Sequence, residues 1–132
     1  QARTDLVVKQ FDAYEPLPGE HINGKQTLAE NIADLGGLKV AYAAWRKSLG
    51  GKPAPVIEGF TGEQRFFLGA AQVWRGIYRD AALSLQLKTD PHSPGKFRVL
   101  GPLSNLPEFY EAFGCGEGQP MRREASQRPS IW

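Results

Sequence analysis

Five residues of this chain have the types and spacing to do chemistry. Glu30 and Asp34 are two acids four positions apart in an otherwise apolar run, residues 23–38. On a helix that spacing puts both carboxylates on one face. Two acids on one apolar face must be solvated, paired or bound to a cation. Far along the chain, Thr89-Asp90-Pro91-His92-Ser93-Pro94-Gly95-Lys96-Phe97-Arg98 holds His92, one of only two histidines, with Asp90 two residues before it and Arg98 six after. An acid beside imidazole favours its charged form, and two nearby cationic donors suit a developing oxyanion. The two prolines stiffen that loop.

Each residue also has a plainer reading. Thr27 and Glu30 form a T-x-x-E capping box, in which Glu30 does no more than reach back to a backbone N–H. Asp34 is harder to dismiss. An acid in mid-helix is a poor helix former, and Leu38, four residues on, offers no cation. A lone loop histidine is often only solvated. His21 sits in a Gly/Asn loop and reads as surface. No G-x-x-x-x-G-K-[ST], G-x-G-x-x-G or G-x-S-x-G occurs. Spacing alone stops at a mostly helical domain with an acid-based site.

The elements that must carry these residues are helices. Leu28, Ile32, Leu35, Leu38, Tyr42, Trp45 and Leu49 step by three or four throughout, so a helix spans 27–49. Gly50-Gly51 ends it, after Lys47 in the last turn. Gly36-Gly37 inside it costs about 1 kcal/mol per glycine relative to alanine, which points to close packing there. Thr61 and Gln64 open a second helix over 61–78 with Phe66, Phe67, Ala70, Val73, Trp74 and Ile77 on its apolar face. Asp80 caps a third, shorter helix with Leu83 and Leu87. Phe97-Arg98-Val99-Leu100 reads as briefly extended. Pro107 and Gly114 bracket a last helix carrying Phe109, Ala112 and Phe113. Residues 1–20 hold a short apolar stretch and a Pro/Gly loop. Residues 116–129 read as a polar surface tail, and Ile131-Trp132 as an apolar end.

With 132 residues, 41% hydrophobic and 23% charged, the chain suits one modest domain. A net charge of +2 gives no footing for nucleic acid or an acidic membrane surface. No apolar run approaches the roughly 18–20 residues of a membrane span. One cysteine, Cys115, excludes an intrachain disulfide and a Cys-rich zinc site.

In residues 24–38 the chain resembles the E-N-I-A-D segment of the neprilysin and endothelin-converting-enzyme family of zinc metallopeptidases. Three more blocks match in order: Phe66-Phe67 through Ala71-Gln72-Val73-Trp74, then 89–99, then 105–115. Trp132 matches the family's terminal residue. The resemblance implies a mainly α fold, the helical C-terminal lobe of a thermolysin-like (zincin) catalytic domain with long loops, and makes 1–132 an incomplete single domain. It implies that Glu30 is the third protein ligand of a catalytic Zn²⁺. By the same resemblance Asp34 is the acid that orients a histidine ligand, and His92, held by Asp90, stabilises the oxyanion. Arg98 would bind a substrate carbonyl, and Val73 and Trp74 would line the hydrophobic pocket for the residue after the scissile bond.

The departures are as informative. The family's H-E-x-x-H, with two zinc ligands and the general base, lies upstream of E-N-I-A-D, and no H-E-x-x-H occurs here. The chain therefore reads as the C-terminal piece of a peptidase whose substrates are oligopeptides. As an isolated piece it is expected to be inactive and to bind Zn²⁺ weakly at most. Its partners are the missing N-terminal part and, through the face that part would cover, a second copy as a homodimer. A dead relative or stand-alone helical interaction module is the alternative. In animal relatives the cysteine equivalent to Cys115 pairs near the C-terminus. Residues 129–132 offer no partner, which implies a bacterial-type relative with a free thiol. By the same resemblance the parent protein is periplasmic or secreted.

Overall fold

The structure is a computed structural model that describes residues 2–129. Among them the chain forms six α-helices and one 3₁₀ turn: α1 Ala2–Asp12, α2 Leu28–Ser48, α3 Gly62–Val73, α4 Asp80–Thr89, α5 Gly95–Leu103 and α6 Pro107–Phe113, with the 3₁₀ turn at Ala125–Gln127. α2 is the spine. Its first half packs with α1 and α5 around Val7, Phe11, Ile22 and Phe97. Its second half belongs to a cluster of Leu35, Phe67, Leu103 and Leu106, against which Tyr42, Phe66 and Phe109 lean. α5 crosses both clusters, with Phe97 in the first and Leu103 in the second.

Several expectations hold. α2 runs almost as its stripe predicts, and Gly50 and Gly51 take positive φ of 59° and 80° just past its end. Thr61 and Gln64 make both bonds of their capping box. α6 is bracketed by Pro107 and a left-handed Gly114.

Others are corrected. Residues 2–12 are a helix, not a short apolar stretch. Its inner face is Val7, Phe11 and the buried Gln10, and a polar residue on the inner face hides the helical period. Thr27 and Glu30 form no capping box. The Thr27 hydroxyl donates to Asn23 O at 3.0 Å and accepts from Asn31 Nδ2 at 2.9 Å, so it is already committed. α3 ends at Val73 rather than residue 78, and Ile77 is fully exposed. The end of α3 is abutted by Gly95, where a Cβ would lie 2.8 Å from Trp74 O. Asp80 sits inside α4, and the N-cap position is Arg79.

Residues 97–100 are helical. Pro94 is the N-cap of α5, and its carbonyl accepts from Phe97 N and Arg98 N. The prolines and Gly95 that suggested irregular chain thus sit at the helix start, where an absent N–H costs nothing. Of the two glycines inside α2, Gly36 is buried while a Cβ on Gly37 would meet nothing within 4 Å, so close packing does not explain Gly37. The polar tail folds back. Arg123 N donates to Ser104 O at 3.3 Å, Met121 joins the second cluster and Pro129 is buried. Ile131 and Trp132 lie outside the described residues.

Candidate active site

The N-terminal half of α2 and the chain from the end of α4 into α5 meet along one edge, and the five residues gather there. Glu30 and Asp34 do share a face of α2. Asp34 has the cation its own helix lacked. Arg98 of α5 donates from Nε to Asp34 Oδ2 at 2.7 Å and from an η nitrogen to Oδ1 at 2.6 Å. The two side chains are only 13% and 16% exposed. A two-pronged, charge-assisted pair of this kind fixes orientation as well as attraction. It holds the Arg98 guanidinium in its charged form, with its pKa raised by the Asp34 hydrogen bonds. The same guanidinium lies 3.9 Å from the centre of the Trp74 ring, so α3 takes part through a cation–π contact.

His92 stands between two acids. The Asp90 carboxylate accepts from His92 N at 2.8 Å and lies 2.7 Å from ring Nδ1. Those bonds, the backbone one first, hold the Asp90 carboxyl below its usual range. On the far side of the ring, Nε2 is 3.3 Å from Glu30 Oε2. An Arg98 η nitrogen is 3.9 Å from the same oxygen. The Glu30 side chain is 38% exposed, so this carboxylate faces His92 and Arg98 on one side and open space on the other.

Beside this edge lies an apolar cavity of about 300 Å³ between α2, α3 and α5. Val73 and Trp74 line it, together with Ala33, Gly37, Ala70 and Val99. Asp34 and Arg98 form its polar border. Val73 is largely exposed and Trp74 half-buried. His21 is exposed and remote from this edge in role, its ring bonded only to Asp12 O.

Two residues of this edge were not singled out by sequence reasoning. Asn31 and Ser93, 2% and 1% exposed, are joined by a bond from Ser93 Oγ to Asn31 Oδ1 at 2.8 Å. The available signal was a polar residue placed between apolar neighbours on the inner face of α2. It was weak, because Asn in a helix is usually a surface residue.

These features decide the chain's kinship. Residues 1–128 match the model of peptidase family M13. The chain belongs to peptidase family M13. It is 50% identical to an endothelin-converting enzyme homolog of Locusta migratoria over 123 residues, which is 90% of this chain and 17% of that protein. It is 39% identical to neprilysin-3 of Drosophila melanogaster, over 98% of this chain and 17% of that protein. The crystal structure of Mycobacterium tuberculosis zinc metalloprotease Zmp1 in complex with inhibitor superposes with a TM-score of 0.95 at 44% identity, covering 99% of this chain and 21% of that one. The chain thus spans about a sixth of the length of these curated relatives.

The described residues of this M13 chain do not make up a zinc centre by themselves. Structural and catalytic zinc sites take three or four protein ligands. Among the described residues no three His, Cys, Asp or Glu side chains converge to hold a metal. Glu30 and Asp90 keep comparably exposed carboxylates, at 38% and 40%. His92 is engaged by Asp90, and both Asp34 oxygens accept from Arg98. Cys115 is a half-buried free thiol away from this edge, in the groove beside α6. No helix among the described residues is long and apolar enough to cross a membrane.

Proposed function

We propose that the protein to which this chain belongs is a zinc-dependent endopeptidase that hydrolyses oligopeptides, and that this chain supplies its oxyanion-binding and substrate-orienting wall. The reading rests on one observation. Side chains 64 residues apart in sequence, Asp34 and Arg98, lock α2 to α5 so that Glu30, His92 and the apolar cavity open onto the same edge.

Glu30 would hold the zinc ion, with the remaining ligands and the general base contributed from outside this chain. When bound, such an ion supplies Lewis-acid polarisation of water and of the scissile carbonyl. The chain's own residues do the rest. Asp90 binds ring Nδ1 and the backbone N–H of His92, which turns Nε2 toward the Glu30 side of the edge, where it would donate to negative charge developing on the carbonyl oxygen. Arg98 has five N–H donors and gives two of them to Asp34, so three remain for a substrate carbonyl beside the Glu30 carboxylate 3.9 Å away. Val73, Trp74 and the cavity beside them take an apolar side chain of the peptide.

Taken alone, the chain is expected to have no peptidase activity and no tight, stoichiometric zinc, and to be able to pair with a second copy through this edge. The family resemblance favours a periplasmic or secreted setting for the whole protein.

The test uses the full-length protein. His92→Ala should lower kcat on a peptide substrate by roughly 10²–10³-fold, the range for loss of an oxyanion donor, with zinc content unchanged. Glu30→Gln should lower both zinc content and kcat. A His92→Ala variant within twofold of the parent would overturn the reading.

A further inference from the structure

We propose that Asn31 and Ser93 form a buried positioning clamp for His92. The clamp ties the loop that carries His92 to the helix that carries Glu30. Each member is the immediate chain neighbour of one of those two residues. The proposal deepens the functional reading above and rests on it.

The argument begins with burial. Asn31 and Ser93 are among the most completely buried side chains of the molecule, at 2% and 1% exposure, although both are polar. A buried polar group is retained only with its hydrogen bonds made. Both are satisfied in one chain. Ser93 Oγ donates to Asn31 Oδ1 at 2.8 Å, Asn31 Nδ2 donates to Thr27 Oγ at 2.9 Å, and Thr27 Oγ donates to Asn23 O at 3.0 Å. The Thr27 hydroxyl gives its proton to Asn23 and accepts from the Asn31 amide. That turns the Asn31 carbonyl oxygen toward Ser93.

The clamp holds Ser93 against α2 at Asn31. The next residue back in the chain is His92. Asp90 bonds both its ring Nδ1 and its backbone N–H, and Ser93, the residue that follows it, is anchored to α2. An exposed bond from Gln26 Nε2 to Asp90 O at 3.1 Å ties the other side of the loop. Ser93 touches none of the reacting groups. Its effect passes through the placement of His92 Nε2, now 3.3 Å from Glu30 Oε2. A misplacement of about 1 Å in a positioned catalytic group can cost on the order of 10²-fold in rate.

The test is a double-variant cycle in the full-length protein with a peptide substrate. Ser93→Ala should lower kcat about tenfold and leave KM within twofold. In a His92→Ala background the same change should lower kcat less than twofold, because the group it positions is gone. A general packing defect would lower activity by the same factor in both backgrounds, and that result overturns the proposal. So does a Ser93→Ala kcat within twofold of the parent while His92→Ala remains strongly impaired. If His92→Ala itself has no effect, the functional reading fails and the clamp falls with it. Ser93→Cys keeps the shape at a slightly larger volume and weakens the donor. It should give an intermediate loss in the first background and none in the second, and it decides the question if Ser93→Ala lacks a cooperative melt.

Discussion

The two halves of α2 are held to the molecule by different chemistry. Near its start, Leu28 and Ile32 rest on the first apolar cluster, while Asn31, Asp34 and Glu30 face Ser93, Arg98 and His92 through directed polar contacts. Near its end, Tyr42 stacks on Phe67 with ring centres 5.2 Å apart and planes 12° from parallel, and Trp45 stacks on Phe66 at 5.5 Å. The exposed Arg46–Glu63 ion pair adds little to that end. Apolar contact is strong but indifferent to small rotations, whereas hydrogen bonds add modest net stability and constrain direction. The aromatic half keeps the helix folded onto α3. The polar half decides where each carboxylate points.

That contrast can be broken from either side. The largest effect belongs to the aromatic half. Phe67→Ala removes a ring that is 1% exposed and should cost about 3–5 kcal/mol in denaturant unfolding. A loss below about 1 kcal/mol would mean that the rings are not the anchor of α2. Next comes the polar half. Arg98→Met strands the Asp34 carboxylate and should cost about 2–3 kcal/mol, the range for bonds to a charged group left unmade. Arg98→Lys should recover only part of it, since an ammonium cannot reproduce the two-pronged geometry. Full recovery by Lys would reduce this pair to simple charge attraction.

Smaller still is the start of α3. Thr61→Ala should cost about 1 kcal/mol because its capping box is made in full. The residues of the same pattern at Thr27 and Glu30 make no such box, so Glu30→Ala should change unfolding by less than about 0.5 kcal/mol. A cost near 1 kcal/mol for Glu30→Ala would restore the cap.

The smallest effect is one of pH. Hydrogen bonds from His92 lower the Asp90 carboxyl pKa in the folded chain, so the folded state binds a proton there less readily than the unfolded one. Its contribution is complete above the ordinary carboxylate range of about 4 and is lost as pH falls through the lower, folded value. Asp90→Asn should therefore flatten the acid limb of stability between about pH 5 and pH 2 and change little at neutral pH. Superimposable acid limbs for the two proteins would exclude Asp90 from that linkage.

How far the site could be read from the chain varied by residue. Glu30 and Asp34 declared a shared face through their spacing, and Asp90 declared itself a partner of His92 because two residues apart is a local distance. The Asp34–Arg98 pair was hidden, since a cation 64 residues away leaves no local trace. Thr27-x-x-Glu30 carried the letters of a capping box, yet the Thr27 hydroxyl was captured by Asn23 and Asn31. Local pattern proposes a bond, and competing partners dispose of it. The helix at residues 2–12 was missed because Gln10 is buried through long-range bonds to Gly101 O and Ser104 Oγ. No hydropathy period records a polar residue satisfied by distant partners.

By itself the sequence determined the helices with clean apolar stripes, the glycine and proline punctuation of α2 and α6, the set of residues able to do chemistry, and the kinship with family M13. These depend on neighbours within one or two helical turns, where backbone geometry leaves few choices. Only the tertiary structure decided that 95–103 is a helix, that Arg98 belongs to Asp34 and Trp74, and that Ser93 is tied to Asn31. Those outcomes turn on which buried donors and acceptors reach one another across α2 and α5. That is a matter of packing, and it is settled only when the helices have docked.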